Sequence, residues 1–374
     1  MQSNKQILWI VTELFPPDES STSYIMGQIA NAFVGKYQVK VICGPEIYDV
    51  RKKLDANNKF QLDSSIELFR TESVTLDKNT FMGKAMGFLL MTYKLLKLAK
   101  KHIRSEDKVL MVTNPAPLIV WMSRLKKKVG FELNILVHDI FPENTVPAGL
   151  KLPAYGWFKN IFDKAYSRAD QLIVLGRDMQ QVIQQKIGRF GSKAKVCIIE
   201  NWGDVETVRP QAFSSSRIVL QYAGNIGRVQ GLDKVINELP EEVELHIYGT
   251  GAMENSLKAM NHPNVFFHGP YFRSQQSEVL SACHLAIVTL QEGMYGLGVP
   301  SKTYNILAAG RPIMYLGPEG SEIDLLVREK HIGFIGWPKV WDVQMLEEMG
   351  AAARRLAQEA YSKEQILRKF VQAI

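Results

Sequence analysis

The chain has 374 residues, of which 46% are hydrophobic and 22% are charged, and this composition is typical of a folded globular protein. It excludes a disordered, collagen-like or coiled-coil chain, and no apolar run of about 18 residues predicts a membrane-spanning helix. The length suggests two domains. The apolar stretch Ile7–Thr12 is too short for a signal peptide, and three widely spaced cysteines (Cys43, Cys197 and Cys283) predict neither disulfides nor a metal site. We therefore expect a cytoplasmic protein.

The charge is distributed unevenly along the chain. Residues 1–200 contain 29 Lys and Arg against 19 Asp and Glu, whereas residues 201–374 contain 16 against 19. The positive charge of the first half favours an anionic partner, which can be a nucleic acid, a membrane surface or an anionic substrate. No helix-turn-helix, zinc-finger or RNP-like motif is present, so we expect no nucleic-acid partner.

Short apolar runs rich in Val and Ile alternate with helical segments in both halves. Continuous apolar runs are typical of parallel strands covered on both faces, so the pattern predicts an α/β fold with two doubly wound parallel sheets. The predicted strands are Ile7–Thr12, Val39–Gly44, Lys108–Thr113, Glu132–Asp139, Gln171–Gly176 and Lys195–Asn201, then Arg217–Gly224, Val243–Gly249, Asn264–Gly269, Leu285–Leu290, Pro312–Gly317 and Gly333–Trp337.

The predicted domain boundaries follow from this alternation. Residues 1–200 form the first domain and residues 217–350 the second. Residues 201–216, with Gly, Pro and three serines but no periodicity, predict a linker. The segment Met345–Ile374 has a helical pattern throughout, and we expect its last part, residues 351–374, to be a C-terminal helix that can cross back to the first domain.

A glycine-rich turn follows the first strand of the second half. Gly224–Gly231 contains Asn225, Arg228 and Gln230, and it leads directly into a helix. Glycines let backbone N–H groups approach a ligand, and a helix start and an arginine add positive charge. The turn therefore predicts a diphosphate site, with an ordinary turn carrying a solvated arginine as the alternative.

Two further turns repeat this arrangement with weaker signals. Gly249 and Gly251 follow a strand and precede a helix, but they do not complete a GxGxxG motif with a downstream acid, so a dinucleotide redox site is not supported. In FHGPY, backbone groups near His268 can contact a nucleobase and Tyr271 can stack on it. The alternative for that turn is a purely structural role.

The fourth turn is the most informative. Gly293, Gly296 and Gly298 lead to Pro300, where a helix is predicted to begin and to end at Gly310. The N–H groups of the first helical turn are then free to bind an anion, and a lysine adds charge. The residues of this predicted site are Ser301, Lys302 and Thr303. All four turns end strands, at the edge where doubly wound sheets bind ligands.

These motifs in this order resemble the donor domain of retaining glycosyltransferases of family 4. The matching segments are GNIGRVQGLD, YGTG, FHG and GVPSKTYNILAAGRP, and in the first half ELFPPDESSTSYIMGQIANAF and VHDIFPE resemble the acceptor-side loop and His-Asp segment. The resemblance covers almost the whole chain and implies the GT-B architecture, two Rossmann-like domains that face each other across a cleft. Within the family it is nearest to N-acetyl-L-fucosamine transferases of O-antigen and capsule assembly.

The chain departs from the family pattern at several positions. The two usual glutamates fall on Leu297 and Asn305. The amide oxygen of Asn305 can take the place of the carboxylate at the ribose, though more weakly, and backbone groups of Gly296–Val299 can substitute for the contact with the donor sugar. The usual lysine of the first turn is Gln230. The usual glycine pair of the first loop is replaced by hydroxyl residues that can contact the acceptor or a phosphate, namely Ser21, Thr22 and Ser23.

The resemblance implies sugar transfer from a nucleotide sugar, by default UDP-linked, with retention at the anomeric carbon and with no metal or other cofactor. Arg228 and Lys302 then stabilise the leaving diphosphate. His138 can contact the donor sugar or position the acceptor, and Asp139 can orient a hydroxyl or accept its proton. A buried structural histidine is the alternative for His138. For the whole chain, a GT-B epimerase or hydrolase and a non-catalytic nucleotide-sugar-binding protein remain open.

Two basic, aromatic stretches suggest where the acceptor binds. Phe81–Arg104 contains five lysines and an arginine but no acid, and Lys151–Lys164 mixes lysines with Tyr155, Trp157, Phe158 and Phe162. Such helices can lie in an anionic membrane interface. The hypothesis is that the first domain docks peripherally on the inner face of the cell membrane and takes a lipid-linked saccharide acceptor. An amphipathic core helix with a solvated basic face is the alternative.

Overall fold

The computed structural model describes residues 5–46, 60–73, 81–150 and 152–374, and the side chains from residue 86 onward in the helix that begins at Phe81. Each of the twelve predicted strands is present, and the strands form two all-parallel sheets of Rossmann type. The predicted fold class is therefore confirmed. Lys84 and Lys151 of the proposed membrane stretches lie outside the side chains described.

The first sheet has seven parallel strands in the order β3-β2-β1-β4-β5-β6-β7. Its strands are β1 (Ile7–Thr12), β2 (Gln38–Cys43), β3 (Glu67–Arg70), β4 (Lys108–Val112), β5 (Glu132–Val137), β6 (Gln171–Val174) and β7 (Lys195–Ile198). The helices of this half are α1 (Ser21–Phe33), α2 (Phe81–His102), α3 (Pro117–Val129), α4 (Tyr155–Tyr166) and α5 (Arg177–Gly188). The central strands are almost entirely buried, as expected of a parallel sheet with helices on both faces.

The second sheet has six parallel strands in the order β10-β9-β8-β11-β12-β13. Its strands are β8 (Ile218–Ala223), β9 (Val243–Tyr248), β10 (Val265–Gly269), β11 (Leu285–Thr289), β12 (Ile313–Leu316) and β13 (Gly333–Ile335). Its helices are α6 (Leu232–Asn237), α7 (Glu254–Lys258), α8 (Gln276–Ser281), α9 (Lys302–Ala308), α10 (Glu322–Lys330) and α11 (Val343–Glu359), and α12 (Lys363–Ala373) ends the chain. In both sheets the strand order reverses beside the first strand, which defines a topological switch point.

The sequence pattern missed one strand, β3. Its four residues are exposed or half-buried, and the edge position leaves two of them, Glu67 and Arg70, charged. An edge strand needs no continuous apolar run, because only one of its sides pairs with the sheet. Among the described residues, no helix is long and apolar enough to cross a membrane.

The C-terminal segment is two helices rather than the single long helix that its pattern predicted. The helix breaks at Ala360–Ser362, where Ser362 forms an isolated bridge with Gly203. α11 packs against α9 of the second half, and α12 packs against α1 of the first. The Tyr37 hydroxyl donates to the backbone oxygen of Ile374 at 2.6 Å, which fixes the end of α12 on the first sheet's side.

The predicted linker, residues 201–216, connects the two sheets but begins as packed chain. Asn201, Trp202, Asp204 and Val208 are all buried. The break after α11 and the bridge to Gly203 bring this segment between the two halves of the molecule. As a result, the first residues of the connection contribute to the site described next.

Candidate functional site

A cleft of about 670 Å³ lies between the carboxyl ends of the two sheets. Both switch points open into it. Thr113 and Asn114 follow β4 on one side, and Gly224, which follows β8, and Thr289, which ends β11, line the other side. Ligands of doubly wound sheets bind at switch points, so one ligand set can contact both halves here.

The cleft brings together most of the residues singled out in the sequence. Eleven of them line it: Ser21, Thr22, His138, Asp139, Asn225, Gln230, Tyr271, Val299, Ser301, Lys302 and Asn305. Six do not: Ser23, Arg228, Gly249, Gly251, His268 and Thr303. The structure thus places the acceptor-side and donor-side candidates around a single cavity.

Lys302 is the most unusual of the lining residues. Its Nζ is buried, and no hydrogen-bond partner exists among the described residues. It lies 3.4 Å from the centroid of the Tyr222 ring and 3.0 Å from where a Cβ on Gly224 would be. Burial lowers the pKa of Lys302 to about 7. A buried ammonium without an anion is costly, so this position is suited to an anionic ligand.

His138 and Asp139 end β5 at the opposite wall. The Thr113 hydroxyl accepts the N–H groups of both residues, at 3.2 and 3.3 Å, and so fixes the turn. Asp139 forms an antiparallel bridge with Gly298, and a Cβ at residue 298 would lie only 2.9 Å from its Oδ1. The glycine therefore lets the carboxylate approach the donor-side loop.

The two groups titrate in opposite directions for the same reason. Burial lowers the pKa of His138 to about 4, so its imidazole is neutral at pH 7. Asp139 is accessible from the cleft, but the surrounding protein displaces much of its hydration and raises its pKa to about 6. Around neutral pH the pair is a neutral imidazole, whose Nε2 has no hydrogen-bond partner among the described residues, and a carboxylate that can accept a proton.

The second glycine turn supports the first from behind instead of lining the cleft. Gly249 has a φ of +132°, and a Cβ there would lie 1.9 Å from the carbonyl oxygen of Gly224. A Cβ on Gly251 would lie 2.3 Å from the carbonyl oxygen of Ile226. These glycines allow two turns to pack backbone against backbone, so their requirement is steric.

The third turn divides its two candidate residues. Tyr271 lines the cleft. His268 lies outside it, where its ring stacks on Tyr248 with centroids 4.3 Å apart and its Nε2 is 3.1 Å from Nδ1 of His246. These contacts give the His268 side chain a structural role, and the contact of backbone groups near His268 with a nucleobase stays a prediction.

Two expectations about backbone donors and hydroxyls are corrected. α9 begins at Lys302 and not at Pro300, and the N–H of Thr303 donates to the carbonyl of Pro300 at 3.2 Å, so it is not free for an anion. The Thr303 side chain is fully buried. Ser23 is likewise buried inside α1, so it cannot contact an acceptor.

Arg228 is exposed on a short 3-10 turn, Arg228–Gln230, and does not line the cleft. Its role at the diphosphate stays a prediction. The described residues offer a different arginine inside the cavity, Arg273, which follows the third turn. Arg273 lies two residues beyond the FHGPY turn, and no sequence pattern predicts it as a site residue.

Arg273 belongs to a polar cluster that joins the two halves. Its Nη1 lies 3.2 Å from Oδ2 of the buried Asp204, and its guanidinium lies 3.7 Å from the centroid of the Tyr24 ring. Oδ1 of Asp204 accepts the Tyr24 hydroxyl at 2.8 Å and the Trp202 indole at 3.2 Å. The Asp204 N–H donates to Oδ1 of Asn305 at 2.8 Å, so the amide oxygen expected to bind ribose already has one protein partner.

No group of three or more His, Cys, Asp or Glu side chains is arranged to hold a metal ion in the part of the chain that the structure describes. Of the residues that the structure describes, the charged side chains lining the cavity are Asp139, Asp204, Arg273 and Lys302. The chemistry that these residues offer directly is binding of an anion and proton transfer to a carboxylate.

Comparison with known proteins agrees with this geometry. No family model matches the chain. A curated protein of Pseudomonas aeruginosa, "Probable glycosyltransferase WbjE", is 28% identical over 402 aligned positions, which cover 98% of this chain and 97% of the relative. Sucrose-phosphate synthase from Thermosynechococcus elongatus has a similar structure, with a TM-score of 0.74 at 13% identity over 99% of this chain and 98% of its own.

A second solved structure, HepE of Anabaena in complex with UDP, has a TM-score of 0.59 at 13% identity over 98% of this chain and 99% of its own. These structural likenesses show the GT-B fold, and the relative matches over the full length of both chains. The protein is therefore a glycosyltransferase with a GT-B fold, as the sequence predicted.

Proposed function

We propose that the protein transfers a sugar, such as an N-acetylated deoxysugar of the FucNAc type, from a UDP-linked donor to a lipid-linked saccharide, with retention at the anomeric carbon. The observation that carries the donor assignment is the buried, unpartnered ammonium of Lys302 beside the first glycine turn. A nucleoside diphosphate supplies the missing anion. The UDP complex of a protein with the same fold supports UDP as the first nucleotide to test.

In the proposed reaction the bond between the anomeric carbon and the phosphate oxygen breaks, and the nucleoside diphosphate leaves. Negative charge then grows on the leaving oxygen. Lys302 stabilises that charge from a fixed position, because its Nζ is held between Tyr222 and Gly224 in a site with little water. Preorganised donors of this kind typically contribute about 3–4 kcal/mol to lowering a barrier.

The acceptor hydroxyl forms the new bond to the anomeric carbon, and its proton must leave. Asp139 is suited to accept that proton, because its carboxylate lies at the cleft wall against the donor-side loop and is ionised above a pKa of about 6. Neutral His138 beside it can hydrogen-bond a sugar hydroxyl through its unpartnered Nε2. Ser21 and Thr22 line the acceptor end of the same cavity.

An exposed apolar surface beside the cleft supports a lipid-linked acceptor. On α2, Met86, Leu89 and Tyr93 are each more than half exposed, while Phe88 of the same helix lines the cleft. α3 packs against both α2 and α4 and adds an exposed tryptophan, and α4 adds another. Large apolar patches on a soluble protein mark interaction sites. We define this surface as the apolar face: Met86, Leu89, Leu90, Tyr93, Trp121 and Trp157.

Basic side chains accompany the apolar face, as the membrane hypothesis requires. Lys97, Lys100 and Lys101 are exposed on α2, and Lys127 and Lys128 on α3. Not every residue of the predicted stretches contributes. Within α4, Phe162 is buried in the core and Lys159 pairs with Asp163 and Glu143. We propose that the apolar face and these lysines hold the protein peripherally on the inner face of the cell membrane, during O-antigen or capsule assembly.

The donor assignment is tested by thermal shift with UDP, GDP and ADP. A ligand that binds only the folded state raises the melting temperature, so we expect UDP to give the largest rise. Turnover is then measured with a UDP-sugar alone and with a lipid-linked acceptor, and the product's anomeric configuration by NMR. Acceptor-independent hydrolysis or epimerisation would favour the alternative enzyme class, which the comparisons do not favour.

Membrane docking is tested by flotation with vesicles that contain anionic phospholipid. We expect the wild type to float with the vesicles, and raised salt to weaken the binding. Trp121→Ser with Trp157→Ser should reduce it at least about tenfold, because both indoles are exposed on the apolar face. Val340→Ser is the matched control, since Val340 is 67% exposed but lies in the second half. Equal flotation of both variants would contradict the proposal.

A further inference from the structure

We propose that Arg273 binds a phosphate oxygen of a substrate in the cleft, and that Asp204 is a positioning residue that aims it. This inference rests on the proposed function, since it assumes that phosphate-bearing substrates enter the cleft. The phosphate can belong to the nucleotide of the donor or to the lipid diphosphate of the acceptor. The motifs identified in the sequence include neither residue.

Arg273 is held as a preorganised donor. Its side chain is about a quarter exposed and lines the cavity, and its guanidinium stacks on the Tyr24 ring at 3.7 Å. Stacking fixes the plane of the group and leaves its edges for hydrogen bonds. Among the described residues, one of its five donors, Nη1, has a hydrogen-bond partner, the carboxylate of Asp204. The remaining N–H groups of Arg273 are available to donate to the oxygens of a phosphate.

The pairing with Asp204 does not cancel this role. Oδ1 of Asp204 is engaged by the Tyr24 hydroxyl and by the Trp202 indole, and only Oδ2 contacts the guanidinium. The carboxylate's charge is therefore shared among three donors. Asp204 itself is buried, and its bonds to Tyr24, Trp202 and Arg273 hold its carboxylate in place. A buried carboxylate that holds an arginine at the edge of a cavity orients it and lowers the entropic cost of binding.

The location fits a phosphate that is distinct from the one at Lys302. Lys302 contacts Tyr222 and the first glycine turn, wholly within the second half. Arg273 instead reaches across to α1 of the first half, where Tyr24 lies one turn from Ser21 and Thr22 at the acceptor end. Lys302 therefore lies against the second half and Arg273 against the first half of the same cavity. Two anionic groups, or two parts of one diphosphate sugar, can be bound together.

The experiment measures UDP affinity by calorimetry and the KM of a lipid-diphosphate acceptor for Arg273→Gln, Arg273→Lys and Asp204→Asn. A lost hydrogen bond to a charged group weakens binding by about 10–100-fold, and we expect Arg273→Gln to show this for one of the two ligands. Arg273→Lys should lose less affinity than Arg273→Gln, because lysine keeps the positive charge but lacks the planar set of N–H donors of the guanidinium. Arg355→Gln, at an exposed arginine of α11, is the matched control.

The positioning role of Asp204 predicts non-additivity. Asp204→Asn should weaken the binding of the same ligand as Arg273→Gln does. The double variant should bind that ligand no more than about twofold more weakly than Arg273→Gln alone. A purely structural role would lower the melting temperature and the turnover number while the UDP affinity and the acceptor KM stayed unchanged. If Arg273→Gln does not fold, Arg273→Lys and Tyr24→Phe, which keeps the ring and removes the hydroxyl that bonds Asp204, carry the same comparison.

The outcomes separate this inference from the proposed function. Weakened UDP binding assigns the phosphate to the donor, and unchanged UDP binding with a raised acceptor KM assigns it to the acceptor. If the wild type binds UDP and accepts the lipid-linked sugar but Arg273→Gln changes neither constant, the inference is overturned and the proposed function stands. If the wild type binds no nucleoside diphosphate, both fall.

Discussion

Replacing Lys302 with methionine should make the protein more stable and unable to bind its nucleotide. Methionine keeps the length and apolar contacts of the lysine stem but removes the buried ammonium. Lowering a lysine pKa from 10.5 to about 7 corresponds to roughly 5 kcal/mol at 1.36 kcal/mol per unit. The variant also loses the contact between the ammonium and the Tyr222 ring, worth up to about 2 kcal/mol. The net gain in the free energy of unfolding is roughly 3 kcal/mol.

The gain depends on pH with a defined sign. The folded-state pKa of Lys302 is lower than the unfolded one, so the unfolded chain binds the extra proton and the destabilisation is complete below pH 7. As the pH rises toward 10.5, the unfolded lysine also becomes neutral and the penalty disappears. The penalty is about 5 kcal/mol at pH 6 and about 2 kcal/mol at pH 9. The stability difference between variant and wild type should therefore shrink as the pH rises.

The assay is thermal unfolding of both proteins from pH 6 to pH 9, with and without UDP. We expect the variant to melt about 5 °C or more above the wild type at pH 6 and to show no shift with UDP. Lys330→Met, at an exposed lysine of α10, should change the free energy of unfolding by less than about 0.5 kcal/mol. A Lys302→Met protein that melts no higher than the wild type at pH 6 and still binds UDP would refute the assignment of Lys302 to an anion site.

The pH profile of the wild type and two further variants have expected outcomes of their own. The kcat/KM of the wild type should be bell-shaped, rising with pH through about 6 as Asp139 ionises and falling above about 7 as free Lys302 loses its proton; a flat profile between pH 5 and 9 would contradict both assignments. Asp139→Asn should lower kcat about 100-fold or more, remove the acidic limb and leave UDP affinity within about twofold, as measured by initial rates and calorimetry. Gly249→Ala should lower the free energy of unfolding by about 3 kcal/mol, because its Cβ would lie 1.9 Å from the carbonyl oxygen of Gly224. Denaturant unfolding measures this difference, and a variant as stable as the wild type would show that the two turns can separate.

The sequence predicted the fold well because each core strand carries its own signal. A strand such as Ile7–Thr12 or Leu285–Thr289 is apolar along its whole length, since helices cover both faces, and this pattern depends on no other part of the chain. β3 escaped prediction because pairing on one edge supplies its stability. The break between α11 and α12 escaped because the helical periodicity of residues 345–374 continues across it, and the bridge between Ser362 and Gly203 is a long-range contact.

The site was predicted in outline for a similar reason. Glycine turns that end strands must gather at one sheet edge, so Lys302, Ser301 and Asn225 could be placed in a cleft from the sequence alone. The burial of individual atoms could not be predicted from the sequence. Thr303 is one residue from Lys302, yet it points into the core. Arg273 and Asp204 are 69 residues apart, and only the packing of the two halves brings their side chains together.

The opposite pKa shifts of Lys302 and Asp139 have one cause, which explains how the cleft can select its substrates. The walls of the cavity bury the ammonium of Lys302 and displace much of the hydration of Asp139, so without ligand each group is held nearer its neutral form. Under the proposed function, we expect a diphosphate beside Lys302 to favour the ammonium and raise its pKa, so that donor binding takes up a proton around neutral pH. A neutral sugar gains nothing from that group. Because only a ligand with a diphosphate pairs with this buried cation, we expect the cleft to bind the nucleotide-linked sugar more tightly than the free sugar. Because the bound diphosphate raises the pKa of Lys302, the basic limb of kcat should lie at higher pH than that of kcat/KM.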